Sequence, residues 1–123
     1  MVPRILVVED EEIMRVTVVD HLRSLGWLVN EAANGTAALE QIKSNRYEVV
    51  LSDIRMPGMD GFEATRAIRG GTSGNAGTPI IALTANNMPG NRERCLAAGM
   101  DNFLPNPFSC PALLAAMADA LTG

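Results

Sequence analysis

Four short runs of apolar residues punctuate the chain: Ile5-Val8, Val49-Leu51, Ile80-Leu83 and the weaker Phe103-Leu104. Each is too brief for a helix, and the stronger ones are rich in β-branched side chains, which predicts buried strands of a parallel sheet. A fifth segment, Trp27-Glu31, alternates more and predicts an edge strand with one face toward water. Between the strands the period lengthens to that of a helix. Met14, Val18, Leu22 and Leu25 form one apolar stripe on a helix that stops at Gly26. Gly35 to Ser44 repeats the plan with Ala38, Leu39 and Ile42. Asp60 to Arg69 does so with Ala64, Thr65 and Ile68, and Pro89 to Ala98 with Cys95 and Leu96 before Gly99. Ser109 to Leu121 closes the series on Leu113, Leu114, Met117 and Leu121, its serine suited to cap the first turn.

Five strand-helix units in strict alternation predict an α/β fold with a parallel sheet and helices on both faces. The 123 residues fit one domain, 1–123, with no linker in view, and at that size folding buries roughly two-thirds of the surface of the unfolded chain. Gly70 to Thr78 holds no apolar side chain larger than alanine and reads as a flexible surface loop; a phosphate cradle is discounted because no GK[ST] helix start follows.

Composition narrows the classes. A hydrophobic content of 47% with 20% charged residues is that of a globular protein. Fourteen acidic residues against ten basic ones give a net charge of -4, and the basic residues are scattered, which argues against a nucleic-acid partner. The first apolar run meets carboxylates at Glu9 and Asp10, too soon for a signal-peptide core or a spanning helix, so the expected location is cytoplasmic, without membrane insertion. Cys95 and Cys110 have no metal-ligand spacing and read as reduced, buried thiols.

In an open parallel sheet, ligands bind beyond the carboxyl ends of the strands. Here those ends carry Glu9-Asp10, Ser52-Asp53, Thr84-Ala85 and Pro105-Asn106-Pro107. Three carboxylates and a hydroxyl therefore converge on one rim. Carboxylates gathered this way repel one another, so one would hold its proton unless a divalent cation favoured the ionised forms. Oxygen ligands with no histidine or cysteine nearby suit magnesium. Glu11 and Glu12 read instead as solvated residues opening the first helix.

VVEDEE, LSDIRMPGMDGFE and IIALTAN, followed by an aromatic residue and a Pro-Phe pair, resemble the motifs of response-regulator receiver domains of two-component and phosphorelay signalling. The resemblance runs from Arg4 to about Leu121, and LTANNMPGNRERCLAAGMDNFL is similar to receivers fused to hybrid histidine kinases. It implies a flavodoxin-like, doubly wound five-stranded sheet of order 2-1-3-4-5 with five helices. It implies Asp53 as phosphoacceptor and a magnesium ion held by Asp10, Asp53, the Arg55 backbone carbonyl and, through water, Glu9. Thr84 is then the switch hydroxyl and Phe103 the aromatic that follows it. The implied partners are a histidine kinase or histidine phosphotransfer protein, and a downstream protein on the face of helix four, strand five and helix five. The domain would be no enzyme beyond assisting its own phosphotransfer and dephosphorylation. The Asn106-Pro107 peptide corresponds to one that is usually cis in the family.

One position departs from the pattern. Receivers carry a lysine just before that proline, and this chain has Asn106; the sole lysine is Lys43, near the end of the second helix. An ammonium about 4 Å from a phosphoryl oxygen is worth a few kcal/mol at intermediate dielectric, whereas a neutral amide offers a hydrogen bond of about 1 kcal/mol. Arg55 as a replacement cation is the weaker reading, since a guanidinium is bulkier and differently shaped. The alternative function is thus a degenerate receiver that binds a partner independently of phosphorylation. A phosphatase with an aspartyl nucleophile would call for D-x-D where Asp53-Ile54-Arg55 stands, and a flavin site would call for hydroxyls and small residues where Glu-Asp-Glu-Glu stands.

Overall fold

The structure, a computed structural model, describes residues 3–53, 61–70, 77–84, 91–105 and 110–122. Five strands alternate with five helices: β1 (Arg4–Val8), α1 (Glu12–Ser24), β2 (Leu28–Ala32), α2 (Gly35–Ser44), β3 (Val49–Asp53), α3 (Gly61–Gly70), β4 (Ile80–Thr84), α4 (Asn91–Ala98), β5 (Asn102–Pro105) and α5 (Cys110–Thr122). All pairings are parallel and the strand order is β2-β1-β3-β4-β5. The central strands are apolar at nearly every position because both of their faces are covered. Leu6, Val8, Val50, Ile80 and Ala82 pack beneath α2 and α3, joined by Ala98 and Met100 from the end of α4 and the turn after it. Ile5, Val7, Val49, Leu51, Ile81 and Leu83 meet α1 and α5 on the opposite face. Among the described residues no helix is long and apolar enough to cross a membrane.

Trp27-Glu31 is an edge strand as expected, though the strand begins at Leu28 while Trp27 packs onto the α1/α5 layer. Three apolar positions depart from their expected stripes. Leu25 is 42% exposed, because it is the C-terminal cap of α1, past the last turn on the sheet; Val19 is buried in that layer beside Val18 and Leu22. Leu96 is exposed on the eight-residue α4, which reaches the core through Ala98 instead. Leu121 is exposed in the final turn of α5, where contact with the sheet has passed to Ala120.

The segment read as a surface loop is anchored at its far end. Thr78 is buried, and its hydroxyl donates to the Tyr47 carbonyl at 3.1 Å, since a hydroxyl beneath a sheet needs a partner. Residues 71–76 lie outside the described residues, as do Asp60, Pro89 and Ser109 of the expected helix starts and the Asn106-Pro107 peptide. The Cys95 and Cys110 side chains are likewise outside the description. Gly26 and Gly99 follow α1 and α4 in the left-handed region, with φ of 86° and 103°, where a Cβ would be strained.

Candidate functional site

Strand order reverses between β1 and β3: β1 leads outward to β2 on one side, while β3, β4 and β5 follow on the other. The crevice of such a sheet opens at that point, beyond the carboxyl ends of the strands. Glu9 and Asp10 come directly after β1, and Asp53 is the last residue of β3. One carboxylate oxygen from each of Glu9, Asp10 and Asp53 lies within 4.8 Å of the other two. Glu9 is buried, Asp53 half-buried and Asp10 exposed, so the group forms a graded funnel from interior to solvent.

Local bonds aim these side chains. The Glu9 amide donates to the Ala32 carbonyl at 3.0 Å, which extends the β1–β2 ladder by one residue. The Glu9 carboxylate turns back and accepts from the Glu11 amide at 3.1 Å, at the entrance to α1. The Ser52 hydroxyl donates to the Asp53 carbonyl at 3.1 Å, steadying the end of β3. Burial first, and then a hydrogen bond to the Asp53 carboxyl, push Glu9 up to about 8; the Glu11 amide opposes this without cancelling it. Glu9 is therefore the member of the cluster that keeps a proton near neutral pH.

An octahedral magnesium ion keeps its oxygen ligands at about 2.1 Å, hence no more than about 4.2 Å apart. The three carboxylate oxygens, within 4.8 Å of one another, are near enough to share one such ion, directly or through water. Its all-oxygen donor set matches the metal, and the ion's charge would displace the proton that Glu9 holds.

The register sets Asp53 opposite Leu83, so Thr84 stands one residue further along the neighbouring strand, itself opposite Pro105. The Thr84 side chain is outside the description, and Arg55 and Asn106 lie outside the described residues. Phe103 is half-buried and packs against the α2/α3 layer. Lys43 belongs to the last turn of α2, which leads into β3 and so sits at the opposite, amino end of the sheet. There it pairs with Glu40 at 3.7 Å.

Arg15 escaped the sequence reading. Its guanidinium donates to the Glu9 carbonyl at 3.0 Å and to the Glu31 carboxylate on β2 at 3.0 Å. No local pattern marks it, because its partners become neighbours only when β2 is laid beside β1.

The profile of the response regulator receiver domain matches residues 5–118. This chain belongs to the response regulator receiver family. Its receiver fold superposes on the magnesium-bound receiver domain of the sensor histidine kinase PA1611 from Pseudomonas aeruginosa with a TM-score of 0.91, at 39% identity and with both chains fully covered. The chemotaxis protein CheY4 of Vibrio cholerae gives a TM-score of 0.92 at 33% identity, over 98% of this chain and 100% of that one. In sequence, the receiver is 41% identical to the two-component response regulator ORR41 of Oryza sativa, over 86% of this chain and 84% of that one. It is 39% identical to the sensor histidine kinase RcsC of Salmonella typhi over 89% of this chain, while spanning only 11% of that much longer kinase.

Proposed function

We propose that this receiver, one domain over residues 1–123, accepts a phosphoryl group from a phosphohistidine onto Asp53 in a magnesium-dependent reaction. The observation that carries the reading is the convergence of Glu9, Asp10 and Asp53 at the switch point of the sheet. A carboxylate oxygen of Asp53 attacks phosphorus; the P–N bond to the donor imidazole breaks, and its electron pair stays on the ring nitrogen. Asp10 and Asp53 would hold the metal directly, with the Arg55 carbonyl, and Glu9 would hold it through water. The ion supplies charge neutralisation for the phosphoryl oxygens. Asp53 is half-buried, so a donor reaches it from the rim, while the hydrogen-bonded Glu9 below fixes the floor of the site.

Thr84, one residue past the register partner of Asp53, would hydrogen-bond the new phosphoryl group, and Phe103, half-buried against the α2/α3 layer, would be the ring that follows it. The partners are a histidine kinase or phosphotransfer protein and a downstream protein on the α4-β5-α5 face, where Leu96 is exposed. The setting is the cytoplasm, with no direct contact to nucleic acid, and the domain acts on no substrate beyond its own phosphoryl group.

The test is incubation of the chain with magnesium and a small phosphodonor such as phosphoramidate. Phosphate should be incorporated in the wild type and not in Asp53→Ala; incorporation that survives the substitution, or is absent from both, ends the proposal.

Asn106 favours a second reading, a receiver whose partner recognises one fixed conformation without phosphate. If Asp53→Ala abolishes partner binding, that second reading fails.

A further inference from the structure

Beyond the acidic cluster, the contact that bears most directly on its geometry comes from α1. Arg15 is largely buried, with a side-chain exposure of 16%, and is gripped in two directions. Its Nε donates to Glu31 Oε1, and its Nη1 donates to the carbonyl oxygen of Glu9. That carbonyl belongs to the peptide unit joining Glu9 to Asp10. The peptide is planar and rigid, so fixing the direction of its C=O also fixes the plane from which Asp10 leaves the backbone. The amide of Glu9 is already fixed to Ala32, so the stretch carrying both acids is held on both sides.

We infer that Arg15 is a positioning residue for the metal site: it presents Asp10 and Glu9 to the cation through the Glu9 carbonyl. The inference rests on the magnesium-dependent reading above. Charge is not its main instrument, because Glu31 sits against the guanidinium at 3.0 Å. Geometry is. A planar fork donates along two separate directions from one rigid group, which the single ammonium of a lysine does not reproduce. Glu31 in turn is fixed by its place on β2, where its register partner is Val7 and its carbonyl accepts from Gln41 at 2.6 Å. The chain of support therefore runs from the edge strand through Glu31 and Arg15 to the Glu9-Asp10 peptide.

Magnesium affinity measured by titration calorimetry on the full chain tests this, together with the magnesium dependence of Asp53 phosphorylation by phosphoramidate. Outer partners of metal ligands are worth about 10- to 100-fold in affinity, and Arg15 acts through one further peptide unit. Arg15→Ala should therefore weaken magnesium binding by about tenfold, raise the magnesium concentration needed for half-maximal phosphorylation in proportion, and leave the rate at saturating metal unchanged. Arg15→Lys should fall between the two. Adding Glu31→Ala to Arg15→Ala should cost little more, since the two residues act as one unit. Wild-type magnesium affinity in a folded Arg15→Ala overturns the inference. Should that variant not fold, Glu31→Ala alone decides, because it frees the guanidinium while keeping it: unchanged affinity again overturns the inference. A wild-type chain that binds no magnesium instead sinks the functional reading on which the inference stands.

Discussion

Glu9 is the residue at which the cost of the site is most visible. Its carboxyl is raised from 4.5 to about 8 by burial and by Asp53, so the folded, metal-free chain binds a proton that the unfolded chain releases at much lower pH. The sign follows from linkage: this contribution to stability is complete below about pH 4.5 and is lost as pH rises through about 8. With magnesium chelated, the melting temperature should fall across that window relative to Glu9→Gln, which has no titrating carboxyl there. Magnesium should flatten the difference, and its binding near pH 7 should release a proton, seen as a dependence of the calorimetric heat on the ionisation enthalpy of the buffer. A buffer-independent heat would contradict this account. At Asn106 the expectation is a gain. By the motif resemblance Asn106 stands where the family has a lysine, and the ammonium of Asn106→Lys would be worth a few kcal/mol at about 4 Å from a phosphoryl oxygen, against about 1 kcal/mol for the amide. Phosphoramidate should then label Asp53 at least about tenfold faster, tenfold being 1.4 kcal/mol of barrier. An unchanged rate would mean that the lysine position does not limit the chemistry in this chain.

At the scale of the elements, α2 shows how local chemistry starts a helix. The Asn34 side chain accepts from the Ala37 amide at 2.7 Å, filling one of the donors that the first turn leaves open. Asn34→Ala should cost about 1 kcal/mol in urea unfolding, with an unchanged slope against denaturant. A loss below about 0.3 kcal/mol would show that water replaces the cap at no cost. The elements themselves were legible because hydrophobic period is a local signal: all five strands and five helices occur near their expected places. The acidic cluster was legible for a related reason, since each carboxylate follows directly on a β-rich run and the alternation of strands and helices sends every strand end to the same rim. Residues whose roles depend on contacts across the fold were not. Arg15 and Glu31 are sixteen positions apart and meet only through the β1–β2 pairing. Leu25 and Leu96 matched a helical stripe, yet a stripe does not reveal where a helix leaves the sheet. Thr78 read as loop because small polar residues precede it, while its burial is set by Tyr47, far away in sequence.

In the whole molecule the two ends of the sheet carry opposite electrostatic arrangements. The carboxyl end gathers like charges and is destabilised by them, as binding sites commonly are. The amino end is stitched together, chiefly by Arg69 at the end of α3. Its guanidinium donates to the Gly99 carbonyl at 2.9 Å and the Thr78 carbonyl at 2.7 Å, and pairs with Asp101 at 2.6 Å. Asp101 also accepts from the Ile80 amide at 2.8 Å, so one side chain joins α3, the approach to β4 and the turn between α4 and β5. Lys43 and Glu40 form an ion pair too, but both side chains are about 70% exposed and no other element is tied by it. Counting ion pairs would rank the two alike; counting buried acceptors left without a donor does not. Removing Arg69 takes a donor from two carbonyls, one of them that of buried Thr78, while the exposed Asp101 keeps the Ile80 amide; removing Lys43 leaves only a carboxylate already in water. Arg69→Ala should therefore lower stability by about 2 kcal/mol, and Lys43→Ala by no more than about 0.5 kcal/mol, in urea unfolding of the metal-free chain. Equal losses in the two variants would show that the amino edge is held by its apolar layers alone. A large loss confined to Arg69 would show that the edge opposite the site is braced by this one side chain, leaving the carboxyl end free to carry the repulsion that its chemistry needs.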